Sequence, residues 1–304
     1  LFGALEVEGA YTDPADRPAT SNLSVATALL GVDAALSDRI KGRIALLHEE
    51  GEEPTIDIDE ANITISQPEI LGGTFMVRAG RDHLPFGSFP SVMVSDPLTL
   101  DLGEISKTAL LTGWENGKLA ARIGIFNGER ETNDHDIIDN WVAALTFTPT
   151  EQLSLGISYL CDLAESKIGL LGGATADYEK NVNGASANLS LKLAPLTITV
   201  EYLGALREFS VALLADPAKA PELTGRQPRA WFAEVNFAPR EDWAVSGRYE
   251  QAKDFQDDVA RYGATFSYGL DPSTTLSLEY LYSDFARETE ETASQVTVQL
   301  ALEF

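Results

Sequence analysis

The chain has 304 residues, 47 of them acidic and 22 basic, for a formal net charge of −25. That balance excludes a nucleic-acid binder, which needs clustered Lys and Arg, and an apolar fraction of 44% excludes a disordered acidic tail. One cysteine, Cys161, excludes a disulfide framework or a Cys-rich metal centre; His48, His83 and His135 share no helical spacing, and no metal or cofactor is expected.

No run of 18 apolar residues is present, so no membrane-crossing helix is expected. The first residues, LFGALEVEGAY, fall inside an alternating pattern, with neither Met nor a charged leader. They are read as the start of a processed or partial chain, its upstream segment either removed or outside these residues.

Period-2 alternation then recurs from end to end. It predicts sixteen strands, near 1–11, 20–34, 39–49, 55–66, 73–82, 107–115, 118–127, 137–148, 151–163, 183–194, 196–208, 229–238, 242–252, 258–270, 274–286 and 293–304. In the fourth, Ile56 and Ile58 lie on one parity and Ala61, Ile63 and Ile65 on the other, which a β-bulge near Asp59-Glu60 reconciles. The sixth is ambiguous between an Ala109/Leu111/Gly113 face and a Leu110/Thr112/Trp114 face.

Every second connection is a short turn, as at Ser37-Asp38, Asn116-Gly117, Ala194-Pro195 and Asp271-Pro272; the others are longer and acidic. Asn-Gly is the preferred pair of a type I′ hairpin, where both central residues need positive φ. An even strand number with loop lengths alternating in this way predicts an all-β fold, a transmembrane antiparallel barrel of about 16 strands forming one domain, 1–304, in a bacterial outer membrane. Both termini then lie on the periplasmic side. Aromatic residues near strand ends, among them Tyr11, Trp141, Tyr159, Trp231, Trp243 and Tyr282, suit the interfacial girdles of such a barrel. The competing reading is a soluble two-sheet sandwich with core aromatics, which gives no reason for the strict loop alternation.

A barrel of this size encloses a water-filled channel. Strand parity places Lys41, Arg43, Arg78, Arg122, Arg248 and Arg261 in the lumen, together with Glu6, Glu8, Glu201, Glu234, Glu250 and Glu279. The acidic runs at 49–53, 254–258 and 288–291 are expected at a solvated outer rim, where hard carboxylate oxygens could also share divalent cations with lipopolysaccharide.

The connection at 82–106 stands apart. It is the longest, and it is rich in Leu, Val, Phe and Pro, too apolar for open water. The expectation is that this third long loop folds into the lumen, packs on the wall and forms a constriction. Asp96, Asp101 and Glu104 are then opposed by some of Lys41, Arg43, Arg78 and Arg122 across a transverse field. Trimerisation, with small residues such as Ala26 or Ala28 on the outer parity, is a further expectation.

Ala79-Gly80-Arg81, Pro85-Phe86-Gly87, Ser95-Asp96-Pro97-Leu98-Thr99-Leu100, Leu102-Gly103-Glu104 and Ile125-Phe126-Asn127-Gly128 resemble the signature of LbtU-type siderophore porins. The terminal Phe304, after Val296, Val298, Leu300 and Leu302, resembles the assembly signal of outer-membrane barrels generally. The family resemblance covers about 81–128 and implies an outer-membrane porin linked to uptake of a ferric siderophore. Members of that family often carry an N-terminal coiled coil, which these residues do not contain.

Catalytic signatures are absent: no G-x-S-x-G elbow, P-loop, H-E-x-x-H or dinucleotide fingerprint occurs. His83 beside Ser88 or Ser91 is the nearest approach to a nucleophile pair, and Cys161 reads as an inert small hydrophobe. The chain has no room for a plug domain, so the expected activity is passive diffusion of small polar solutes or a siderophore, not enzymatic turnover. The alternative is a scaffold barrel that sheathes or anchors a partner protein.

Overall fold

The computed structural model describes residues 1–51, 55–128, 137–166, 181–209, 225–255, 258–286 and 292–304. Its strands are β1 Phe2–Pro14, β2 Thr20–Ala35, β3 Ile40–Glu49, β4 Asp57–Ile70, β5 Gly73–His83, β6 Ser106–Glu115, β7 Leu119–Phe126, β8 Asn140–Thr150, β9 Leu153–Leu160, β10 Gly184–Leu193, β11 Leu196–Ala205, β12 Arg229–Arg240, β13 Trp243–Lys253, β14 Val259–Asp271, β15 Thr274–Phe285 and β16 Thr292–Glu303. Each pairs with its sequence neighbours, and β1 pairs antiparallel with β16, so the sheet closes into a sixteen-stranded barrel with no free edge. Gly3 and Phe304 exchange both backbone hydrogen bonds at the seam.

One face of the strands carries exposed apolar side chains around the sheet: Leu30, Ile44, Ile63, Ile123, Ile157, Val235, Leu278 and Val298 lie on β2, β3, β4, β7, β9, β12, β15 and β16. Aromatic pairs sit on this face toward both ends. Trp141 stacks on Tyr159 at 4.8 Å and Tyr262 meets Tyr282 at 4.9 Å near one end, while Phe237 meets Trp243 edge-on at 6.1 Å near the other.

Two local irregularities follow from the pattern. In β4 the register steps from Ala45↔Glu60 to Leu46↔Ile58, so Asp59 is the extra residue of a bulge and both isoleucine sets stay on the apolar face. In β2 the step between Val25 and Thr27 makes Ala26 the extra residue, after which Ala28 joins Leu30 and Val32. The Asn-Gly turn departs from expectation. Only Gly117 has positive φ, 81°, and Asn116 instead accepts the Lys118 and Leu119 N–H groups on its side-chain oxygen. It is an Asx turn rather than a type I′ turn.

The ambiguity in β6 resolves with Leu110 exposed and Ala109 and Leu111 buried. Both faces of this strand are apolar because the segment 84–105 packs on the second one. Leu84, Phe86, Leu98, Leu102 and Ile105 form a buried cluster with Ala109, Leu111, Phe126, Val142, Leu160, Leu203 and Ala230 on the face away from the exposed belt. Complete burial of a side chain such as Leu98 or Leu102 stabilises this docking by roughly 1.5–3 kcal/mol.

Candidate functional site

The segment 84–105 leaves β5, forms one short helix, α1 Leu98–Gly103, and returns into β6. Pro85 and Pro90 deny it a regular ladder, and a turn through Gly87 (φ 78°) and Phe89 (φ 53°) redirects it. A Cβ at Gly87 would stand 2.2 Å from the Phe89 ring, so glycine is required there.

The backbone amides of such a segment still need acceptors, since an N–H buried without one costs about 1–3 kcal/mol. They find side chains of later strands. Gly87 donates to Ser158 on β9 at 2.9 Å. Ser88 and Phe89 donate to the two carboxylate oxygens of Glu201 on β11 at 2.7 and 2.9 Å, and the Thr99 hydroxyl adds a third bond at 3.1 Å. Val92 donates its amide, and Ser91 its hydroxyl, to Glu234 on β12 at 3.0 and 2.7 Å. Val94 and Ser95 donate to Glu279 on β15 at 2.8 and 3.1 Å, and Leu98 to Glu250 on β13 at 2.8 Å. A carboxylate suits this task because its two oxygens accept several donors at once.

Cross-strand register completes the arrangement. Glu234 stands opposite Arg248, and Glu250 opposite Arg261. Arg248 approaches Glu250 at 3.3 Å and Glu234 at 3.6 Å with its side chain 1% exposed. Glu201, Glu234, Glu250, Glu279 and Arg248, expected to face open channel water, are therefore covered by the docked segment; Arg261 is half-buried.

The other side of the segment borders a cavity of about 850 Å3 against β1, β2, the end of β3, and β16. Asp96, Asp101 and Glu104 line it from the segment, and Glu6, Glu8, Glu49 and Glu50 from the strands, with Met93, Val94 and Leu100 as apolar patches. Glu49 and Glu50, at and just past the end of β3, also border this cavity. Asp96 is open to the cavity, yet the protein atoms crowded around it partly desolvate its carboxyl, and this, followed by the charges of Asp101, Glu104 and Glu49, pushes it up to about 6 against the pull of Arg248.

The four cations expected opposite these acids are engaged elsewhere. Arg43 forks onto Asp33 at 2.7 and 3.0 Å, reaches Glu60 at 3.0 Å and lies over the Phe2 ring. Arg78 bonds Thr64 and Asp82, Arg122 stands 4.0 Å from Glu115, and Lys41 is an exposed residue near the 36–39 turn. Arg43 and Arg78 are held by a carboxylate or hydroxyl on their own or an adjacent strand, Arg122 stands near one, and Lys41 stays exposed. The cation beside Asp96 is Arg248. Glu104 stands 3.4 Å from His83, whose other nitrogen meets Asp59 at 2.7 Å. His83 is therefore not paired with Ser88 or Ser91, which turn to Glu201 and Glu234.

Sequence reasoning named the wall glutamates as lining and missed their role as acceptors. The available signal was their spacing, one on each of β11, β12, β13 and β15, facing a loop too apolar to stay in water. Cys161 is buried, its thiol bonded to Asn140. Among the described residues no group of three or more His, Cys, Asp or Glu is placed to hold a metal. His135 and the acidic positions 52, 53, 257, 288, 290 and 291 lie outside the described residues.

Comparison with solved structures follows the whole barrel. An anion-selective porin from Comamonas acidovorans superposes with a TM-score of 0.72 at 12% identity, covering 100% of this chain and 98% of the other. The fold is that of the outer-membrane porins. The outer-membrane channel DcaP of Acinetobacter baumannii matches with a TM-score of 0.69 at 11% identity, and Salmonella typhi OmpF in complex with daunomycin with 0.69 at 9%, each over 100% of this chain and 96% of the other. No family model matches the sequence. A UPF0422 protein of Coxiella burnetii is 24% identical over 244 residues, 73% of this chain and 50% of that protein, so the chain spans about half the length of the curated relative it matches.

Proposed function

We propose that the chain is a bacterial outer-membrane porin, a passive diffusion channel for small polar solutes with a preference for cations. The exposed apolar face then meets lipid, the opposite face lines the lumen, and the segment 84–105 lies across that lumen as its constriction. The observation that carries this reading is the acid-lined cavity beside the docked segment. Low-dielectric walls keep the field of those carboxylates from being screened as it is in bulk water, so they concentrate cations. The passage runs eccentrically along β1, β2 and β16, because the buried apolar cluster fills the side near β6–β12.

Conductance in planar bilayers with a KCl gradient tests the reading. The expected result is ohmic conductance with a cation-selective reversal potential that shifts toward anions when Asp96, Asp101 and Glu104 are neutralised together. Deleting residues within 88–102 raises conductance. Absence of conductance, or anion selectivity in the parent protein, refutes it.

Ferric-siderophore uptake is the finer reading, supported by the resemblance at 81–128. It requires transport of the iron-loaded chelate in proteoliposomes, and the acidic cavity favours a chelate without net negative charge. Trimerisation, with Ala28 on the outer face where a neighbour can approach closely, is tested by cross-linking in mild detergent. A scaffold barrel fits less well, because a sheath needs the lumen that the segment 84–105 occupies.

A further inference from the structure

Asp96 is the segment carboxylate closest in sequence to the turn that crosses β12, β13 and β15, and its presentation depends on one buried side chain. Arg248 Nη1 donates to Ser91 Oγ and to the Ser95 carbonyl, each at 2.9 Å. Nη2 donates to Ser95 Oγ at 2.8 Å and to the Asp96 carbonyl at 3.2 Å. One planar guanidinium thus gathers three residues of the 91–96 turn. Two residues on, Leu98 is pinned by Glu250, which is itself bonded to Arg248. The Asp96 backbone is fixed from both sides, while its side chain is open to the cavity.

We propose that Arg248 is the positioning residue of the constriction: by clamping the Ser91–Asp96 turn it presents the Asp96 carboxylate to the passage and sets both the width and the charge selectivity there. The inference rests on the channel reading above. Its chemistry requires arginine, because a planar fork reaches four acceptors at once, whereas the lysine ammonium is a single point charge. Asp96 is faced by Asp101 and Glu104 from its own segment, Glu49 from β3 and Arg248 from β13, and Glu6, Glu8 and Glu50 share its cavity. Its charge therefore answers both to the surrounding acids and to this one cation.

The test is single-channel conductance and reversal potential from pH 4.5 to 8 for the parent protein, Asp96→Asn, Arg248→Lys, Arg248→Gln, and Ser91→Ala/Ser95→Ala. The parent gives one conductance level and a cation preference that rises through about pH 6. Asp96→Asn abolishes that step. Arg248→Gln splits the conductance into several levels and moves the midpoint upward by on the order of one unit, the effect of losing a nearby opposite charge. Arg248→Lys keeps the midpoint near that of the parent but not the single level, which separates charge from geometry. The double serine variant keeps the Arg–Glu contacts and still splits the conductance, so it decides the matter if Arg248→Gln does not fold. A single parent-like level in the serine variant, or a pH step that survives Asp96→Asn, overturns the proposal while leaving the channel reading in place. A parent protein that does not conduct removes both.

Discussion

Replacing Glu201 with Ala removes the acceptor for Ser88 N–H, Phe89 N–H and the Thr99 hydroxyl at one stroke. Glu201 is fully buried, and its register neighbours across the sheet are Asn188 and Phe232, so the adjacent polar side chain offers a single neutral amide oxygen in place of two carboxylate oxygens. A hydrogen bond to an ionised group is worth about 1.5–3 kcal/mol net. Undocking also returns the carboxylate to water, so the lower figure applies, and two amide bonds give roughly 3 kcal/mol for local docking. At 1.4 kcal/mol per decade, protection of the Ser88 and Phe89 amides falls about 100-fold in native-state hydrogen exchange. Glu201→Gln keeps one oxygen and exposes an NH2 group to the second amide, so about half of the effect, in free energy, is expected. Amides in β1 and β16 serve as the internal control and stay as protected as in the parent. Unchanged exchange at Ser88 and Phe89 in the Ala variant would refute the idea that wall carboxylates hold the segment.

Three further outcomes are expected. Leu278, exposed on the apolar face between Phe266 and Val298, becomes destabilising by about 2–4 kcal/mol as Arg in a bilayer, read from urea titration in lipid vesicles. Gly80→Ala lowers stability by about 1–3 kcal/mol or more, because φ is 134° there and the new Cβ would stand 2.1 Å from the Ala61 carbonyl oxygen, measured by the same titration. Asp96 has its carboxyl raised from 3.8 to about 6, so the native chain keeps a proton that the unfolded chain releases. Its contribution is then most favourable below about pH 4 and declines as pH rises to about 6; Asp96→Asn removes that slope from the stability–pH curve.

The strands were legible because each is a local period-2 pattern repeated with one phase, and even the β4 bulge showed as a parity flip between Ile58 and Ala61. What the local pattern hides is where a long segment docks. Ala109 and Leu111 made β6 ambiguous because they face a second apolar layer rather than water, a property of the assembled barrel. The partners of the cations are hidden for the same reason: parity reports the face of Arg43 or Arg78, whereas its partner depends on which carboxylate, Asp33 or Asp82, lies within reach on the same or a paired strand. Parity puts Arg248 among the lumen cations, yet nothing around position 248 announces four acceptors at positions 91–96.

The docking contacts also impose an order of assembly. Gly87 and Ser158 are 71 residues apart, and Val94 and Glu279 are 185 apart. Contacts of such separation form only after the intervening chain is in place. The segment is made early, but its acceptors belong to β9 through β15, strands made later. Until those strands have joined the sheet the segment has no berth, and its leucines and unpaired amides must be sheltered by something other than the finished wall. A half-built barrel therefore leaves the segment without its acceptors, and the docking of 84–105 is among the last events of its construction.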